Sequence, residues 1–303
     1  MINQFIFEDL SNMDTEKCKV FLTALDLGSF SAAAEKLGYT PSGISRTVDA
    51  MENSLGFRLA TRTRHGIALT QEGEALLPLI RELACKGKQL EQAAENIRGL
   101  ETGKVFVGTS YARYYSWLTG IISRFHESYP GISVEICEGT STELSDRLDR
   151  LALDFALISY REGNHRWIPV KSDALVALLP TDHPFAQMGK LPVSEFSSLP
   201  FIEILPSNDT DNLRFFKKHG ISPNIRFSTS DSYAACAMVK AGLGISLVNE
   251  IIGKEFGSDV ACVPLEPQEQ IPLGIILPES NTISPAAKRF ADFALQFIDN
   301  LKE

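Results

Sequence analysis

The 303-residue sequence contains no CxxC pair, no HExxH, no GxSxG and no phosphate-cradling P-loop. Those absences remove the sequence signatures of thiol redox enzymes, zinc proteases, serine hydrolases and nucleotide-binding ATPases. The five histidines (His65, His126, His165, His183, His219) lie far apart, each beside turn or helix-end residues. Asp182-His183-Pro184 reads as a turn. No metal, cofactor or catalytic set is therefore expected. No window offers about 18 consecutive apolar residues, and residues 1–30 show no basic start followed by an apolar run. The expected location is the cytoplasm, with no membrane partner. Long Gly/Ser, Pro or charge runs are absent, so nothing reads as a disordered tail beyond a few terminal residues. Five scattered cysteines (Cys18, Cys85, Cys137, Cys236, Cys262) read as free, buried thiols in a reducing compartment.

What is present is ordinary globular composition: 44% hydrophobic and 22% charged residues. The length calls for two or three units, each able to bury a core. The formal net charge is −9, which argues against nonspecific coating of nucleic acid but not against a small DNA-binding module on an acidic partner. Through residue 100 there are 11 Lys and Arg against 13 Asp and Glu; beyond it, 18 against 25. Most of the acidity thus lies outside the first third. Arg58, Arg62, Arg64 and His65 cluster without an acid between them.

Cys18, Phe21, Leu22 and Leu25 recur at helical spacing, and Gly28 ends that helix. Ser29 or Ser31 suits the cap of the next, whose Ala32-Ala33-Ala34-Glu35-Lys36-Leu37 run has high helix propensity. Thr40-Pro41 is a sharp start signal: Thr as N-cap, Pro at the first turn. The helix that follows places Ile44, Val48, Met51 and Leu55 on one face, and Ser42, Ser45, Arg46 and Asp49 on the other. Two short helices and a tight turn, the second with an exposed Ser/Arg face, suit insertion into a major groove. Residues 62–70 then read as a hairpin with a basic tip, suited to phosphates or a minor groove. A solvated loop beside a helical bundle is the plainer alternative.

Ser29-Phe30 through Leu37 resembles the SFxxAAxxL signature of LysR-type transcriptional regulators. Ser42-Gly43-Ile44-Ser45-Arg46, Met51-Glu52, Leu55-Gly56 and Leu69-Thr70-Gln71-Glu72-Gly73 continue the likeness without a gap over about sixty residues. Departures are Met51 for Leu, Ala60 for Phe, and Gly43 inside the third helix. The resemblance implies a bacterial winged helix-turn-helix over residues 1–70. A linker and dimerisation helix over 71–100 would follow, then an effector-binding domain over 101–303. Candidate DNA contacts are Ser29, Pro41, Ser42, Ser45, Arg46, Arg62 and Arg64.

Leu76, Ile80, Leu83, Gly87, Leu90, Ala94 and Ile97 alternate spacings of four and three, a heptad seam. It reads either as a helix packed on its own domain or as a dimer seam; in the family the helix pairs two subunits. From Gly103 on, strands and helices alternate, which predicts a parallel α/β sheet. "Tyr-Pro-Gly-Ile", "Leu-Asp-Phe-Ala-Leu-Ile", "Asp-His-Pro-Phe" and "Val-Lys-Ala-Gly-Leu-Gly-Ile-Ser-Leu" stand where the family has such residues. They imply a two-lobed, periplasmic-binding-protein-like (type 2) α/β domain. Lobe one would span about 103–168 and 268–303, lobe two about 169–267, with crossings near 165–171 and 268.

Ligands of open α/β sheets sit beyond the carboxyl ends of strands. Hydroxyl-rich turns there make Thr109, Ser110, Thr140, Ser141, Ser207 and Thr229 the candidate effector contacts, though each taken singly also reads as a helix cap. Arg113, Tyr111, Tyr114 and Tyr115 add charge or stacking for an anionic or aromatic ligand. The expected partners are a double-stranded DNA operator, a small anionic effector, a second copy in a homodimer or homotetramer, and RNA polymerase if the chain activates transcription. Two other readings compete. A free-standing solute-binding protein fits the last two hundred residues but fails on the missing signal-type start and on the helix-turn-helix. A redox sensor would use Cys236 or Cys262, although neither has a basic neighbour to lower its pKa.

Overall fold

The computed structural model describes residues 13–63, 66–97, 102–111, 114–206, 208–279 and 283–298, with Arg62 and Asn96 described by their backbone alone. The chain divides into two compact units: residues 1–100 with 281–285, and residues 101–280 with 286–303.

In the first unit, α1 (Thr15–Asp26), α2 (Phe30–Leu37) and α3 (Pro41–Leu55) precede a hairpin of β1 (Ala60–Thr63) and β2 (Gly66–Leu69). The helix starts follow local chemistry. Ser29 Oγ accepts the Ala32 N–H and Thr40 Oγ1 the Gly43 N–H, while Gly38 and Gly56 close α2 and α3 in the left-handed region. The predicted inner face of α3 is inner: Ile44, Val48 and Met51 are buried. A Cβ on Gly66 would meet the Gly28 carbonyl, so the hairpin backbone lies directly on the α1–α2 turn. Gly73 is needed in the same way, because a Cβ there would collide with the Leu59 carbonyl.

Helix α4 spans Gln71–Ile97. The seam residues separate on it. Ile80 is buried among Cys18, Phe21 and Met51, with Leu76 packed alongside. A Cβ on Gly87 would clash with Thr15, so this stretch packs on α1 of its own unit. Leu83, Leu90 and Ile97 instead remain 38%, 72% and 88% exposed.

The second unit opens with β3 (Gly103–Thr109), α5 (Tyr115–Ser128), β4 (Ile132–Cys137), α6 (Ser141–Asp149) and β5 (Phe155–Ser159). Strand β3 pairs in parallel with both β4 and β5. The expected parallel pairing holds among these three strands. A 15-residue strand, β6 (His165–Leu179), and a returning β12 (Gln270–Pro278) run antiparallel to each other, and β12 also to β5. The sheet is mixed because these two strands carry the chain to and from the second lobe in opposite directions.

That lobe contains α7 (Pro184–Met188), β7 (Leu191–Pro192), β8 (Phe201–Ile204), α8 (Asp211–His219), β9 (Ile225–Thr229), α9 (Ser232–Lys240), β10 (Ser246–Asn249), α10 (Glu250–Gly253) and β11 (Ala261–Glu266). Strands β10 and β11 flank the end of β6. Leu175, Ala177 and Leu179 face one core cluster, and Val176 and Leu178 the other. Burial on both faces explains the unbroken apolar run. The last helix, α11 (Pro285–Leu295), sets Phe290 edge-on to Phe125 and Phe155 in the first lobe.

Candidate functional site

In the first unit, Ser31, Pro41, Ser42, Ser45 and Arg46 line one shallow groove together with Phe30. Pro41, Ser42 and Arg46 are exposed. Ser29 is half-buried, and its hydroxyl is taken by the α2 cap. The backbone of Arg62 pairs opposite Ile67 in the hairpin; Arg64 and His65 lie outside the described residues.

Arg58 does not join the basic cluster as a free cation. Its guanidinium donates to Glu52 at 2.6 Å and Asp49 at 2.9 Å. Glu52 is only 3% exposed. Its Oε1 also accepts the backbone N–H groups of Leu59 (2.8 Å) and Ala60 (3.1 Å). One carboxylate on α3 therefore holds the start of the hairpin at a set distance from the Ser45/Arg46 face.

In the second unit a cavity of about 240 Å³ lies between the lobes. The carboxyl ends of β3, β4 and β5 bring Ser110, Tyr111, Thr140, Ser141 and Arg161 to it from the first lobe. The second lobe supplies an apolar floor, including Ile204, Leu247 and Ile252, and a polar rim with Asp211, Asp231 and Glu255.

The first-lobe groups converge on Asp211, the first residue of α8. Arg161, 5% exposed, donates to Asp211 Oδ1 at 2.9 Å. The Ser159 hydroxyl lies 2.8 Å from that same oxygen, and the Tyr111 phenol donates to Oδ2 at 2.8 Å. Burial, then the adjacent Asp211 charge, pushes the Tyr111 phenol well above its ordinary range, so it stays a donor. A hydroxyl relay backs the site: Ser110 and Ser141 are 2.8 Å apart, and Ser141 accepts the Ser159 N–H.

A second clasp lies outside the cavity, where Thr142 Oγ1 is 3.0 Å from Asp209 Oδ2 and accepts from Arg161 Nε at 2.7 Å. Hydrogen bonds from Arg214 hold the Asp209 carboxyl below its usual range. Arg161 is the one cation among the described residues lining the cavity, and it is paired.

The domain models match in two places: "Bacterial regulatory helix-turn-helix protein, lysR family" over residues 15–74, and "LysR substrate binding domain" over residues 98–299. The chain belongs to the LysR family. It is a DNA-binding transcriptional regulator with a substrate-binding domain. It is 27% identical over 285 residues to the HTH-type regulator YvbU of Bacillus subtilis, covering 93% of this chain and 98% of that one. It is 29% identical to TtuA of Agrobacterium vitis over 263 residues, covering 84% and 86% of the two chains. Among solved structures, a full-length variant of OxyR from Pseudomonas aeruginosa matches with a TM-score of 0.67 at 18% identity, covering 95% of each chain. The effector-binding domain of QuiR in complex with shikimate matches at 0.54 and 22% identity, covering 66% of this chain and 98% of that one.

Of the predicted effector contacts, Ser110, Thr140 and Ser141 line the cavity. Thr140 also caps α6, in a reciprocal box with Glu143. Thr109 is buried behind the cavity, its Oγ1 3.2 Å from the Tyr111 N–H, and Thr229 accepts the Asp231 N–H. Neither reaches the lining. Ser207 and Arg113 lie outside the described residues. The sequence reading missed Ser159, Arg161, Asp209 and Asp211. A charge two residues beyond the fully buried strand β5, and an Asp opening a Thr-capped helix, were the signals available.

His183 opens α7, its Nδ1 3.3 Å from the Phe185 N–H, in keeping with the turn reading. Burial raises the thiols of Cys18, Cys137, Cys236 and Cys262, which disfavours the reactive thiolate. Among the described residues, no helix is long and apolar enough to cross a membrane, and no acid, His or Cys cluster suits a metal.

Proposed function

We propose that operator binding by this regulator is modulated by a small molecule held between the two lobes. The observation that carries this reading is the cavity itself: it draws lining from both lobes, beyond the carboxyl ends of β3, β4 and β5. A ligand that contacts both lobes favours one lobe arrangement over another, and that differential affinity is the source of control. The Ser42/Ser45/Arg46 face reads base edges, and Arg62 and Arg64 hold phosphates. The exposed Leu83, Leu90 and Ile97 recur every seven residues on α4 and pair with the same stripe of a second copy. Residues 1–70, 71–100 and 101–303 serve as DNA-binding, dimerising and effector-binding segments.

The test is a thermal-shift screen of the full chain against small carboxylates and aromatics, followed by Ile252→Trp, which fills the cavity from its partly exposed apolar floor. A genuine cleft ligand raises the melting temperature of the wild type but not of the variant, and changes operator affinity only in the wild type. A ligand that stabilises both equally binds elsewhere.

A further inference from the structure

The Arg161 guanidinium is oriented almost entirely by its own lobe. Its Nε donates to Thr142, and one terminal nitrogen donates to the Ser159 hydroxyl and to the Tyr160 carbonyl, both at 2.8 Å. The other terminal nitrogen, the Ser159 hydroxyl and the Tyr111 phenol all point at a single carboxylate, and only that carboxylate comes from the second lobe. A buried guanidinium flanked by two hydroxyl donors is a recognition set for a carboxylate. Here the set is filled by the chain.

We infer that Arg161, Ser159 and Tyr111 form a carboxylate seat in the first lobe, that Asp211 is its tethered occupant, and that a carboxylate-bearing effector takes the seat by expelling Asp211. This rests on the cleft reading above and names the ligand class. Asp231 and Glu255 on the far rim repel an anion, so the seat is where a ligand carboxylate goes while its apolar body covers Ile204 and Ile252. Asp211 latches α8 against the first lobe. Exchange of the tethered carboxylate for a free one releases that latch, which gives the ligand its preference for a different lobe arrangement.

Acetate is the probe. In full-length Asp211→Ala the seat is empty and Arg161 is left buried without its counter-charge. Sodium acetate should raise the melting temperature of this variant saturably, by about 2–4 °C over sodium chloride at equal ionic strength. It should leave the wild type and Asp211→Asn, whose seats are filled, unmoved. Adding Tyr111→Phe to Asp211→Ala should weaken the acetate response several-fold. An acetate effect no larger than that of chloride, or equal in wild type and variant, overturns the proposal.

If Asp211→Ala is insoluble, Asp211→Ser empties the seat while keeping a residue suited to a helix start. Solubility of either variant only in acetate buffers supports the seat; insolubility of both in acetate as well as chloride overturns it. None of these arms needs the natural effector. Failure here with an Ile252-dependent ligand in hand therefore sinks the seat and not the cleft, whereas an acetate response in a chain whose operator affinity no cleft ligand changes sinks the cleft reading and, with it, the effector exchange that rests on it.

Discussion

Glu52 offers a sharp test of how the DNA-binding unit holds its shape, because its two oxygens do different work. Oε1 accepts both backbone N–H groups at the start of the hairpin; Oε2 meets Arg58. Glu52→Gln can keep its amide oxygen at the Oε1 position. It then loses the ion pair with Arg58 and sets an amide N–H group against that guanidinium, whose side chain is 68% exposed and keeps Asp49 as a partner. The arginine can swing aside into water, so the expected cost is smaller than that of abandoning the two backbone N–H groups. Glu52→Ala also abandons the buried Leu59 N–H and the half-buried Ala60 N–H. Leaving such donors unsatisfied costs about 1–3 kcal/mol each, so about 2–4 kcal/mol is expected after discounting Ala60 for its partial exposure. A unit of roughly 100 residues loses about 4–8 °C per kcal/mol. Differential scanning fluorimetry of the full-length variants, with operator binding measured in parallel, separates the cases. Glu52→Ala should melt more than about 8 °C lower and lose operator affinity, while Glu52→Gln should lose less of both. Equal losses in both variants would show that the charge, not the backbone cap, is what matters, and would refute the reasoning.

Arg46→Ala should weaken the cognate operator by about 1–3 kcal/mol and relax preference at one base pair, read by competition binding against single-base variants. Arg62→Ala should instead weaken all sequences and flatten the salt dependence of binding. Leu83→Glu places a charge in the exposed α4 stripe and should convert dimer to monomer in sedimentation; an intact dimer would move the interface elsewhere. Asp209, held below its ordinary pKa chiefly by Arg214, contributes stability that is fully present above about pH 4 and is lost as pH falls through its folded-state value. Asp209→Asn should flatten that acid limb in a pH series of thermal melts.

Features written in local chemistry were legible in the sequence. The caps Ser29 and Thr40, the apolar face of α3 and the strand ends around Ser110 and Ser141 each follow from a few adjacent residues, and the structure has them there. The α4 seam was legible as a stripe but not as two surfaces. Spacing alone does not say that Ile80 and Gly87 turn to α1 while Leu83 and Leu90 turn to solvent. The mixed sheet escaped because β6 begins with a partly exposed stretch, His165 to Lys171, interrupted by Pro169, and only later becomes the buried apolar run that reads as a strand. Arg161 and Asp211 escaped for a different reason. They are 50 residues apart, on different lobes, and meet only through the topology that brings β5 and α8 to one cleft.

The two clasps differ in a way that allows one more prediction. Asp209 and Asp211 flank Thr210, the N-cap of α8, so expelling Asp211 from its seat must also disturb Asp209. Yet Asp209 touches no group of the seat; across the cleft it holds Thr142. Its contact therefore stabilises the latched arrangement without contributing to a bound carboxylate. A ligand that needs the unlatched arrangement has its apparent affinity reduced by the cost of unlatching. Asp209→Ala removes the carboxylate half of that contact and leaves the backbone carbonyl to Thr142, so it lowers the cost by at most about 1 kcal/mol. Isothermal titration of any carboxylate found by the screen should then show tighter binding to Asp209→Ala than to wild type, by up to about fivefold. Tyr111→Phe makes the counter-case. It weakens the latch and the seat together, so the two effects oppose each other and affinity should change little or fall. Tighter binding to Tyr111→Phe than to Asp209→Ala, or weaker binding to Asp209→Ala than to wild type, would mean that the ligand stabilises the latched arrangement, and that Asp211 is a structural ion pair and not an occupant to be replaced.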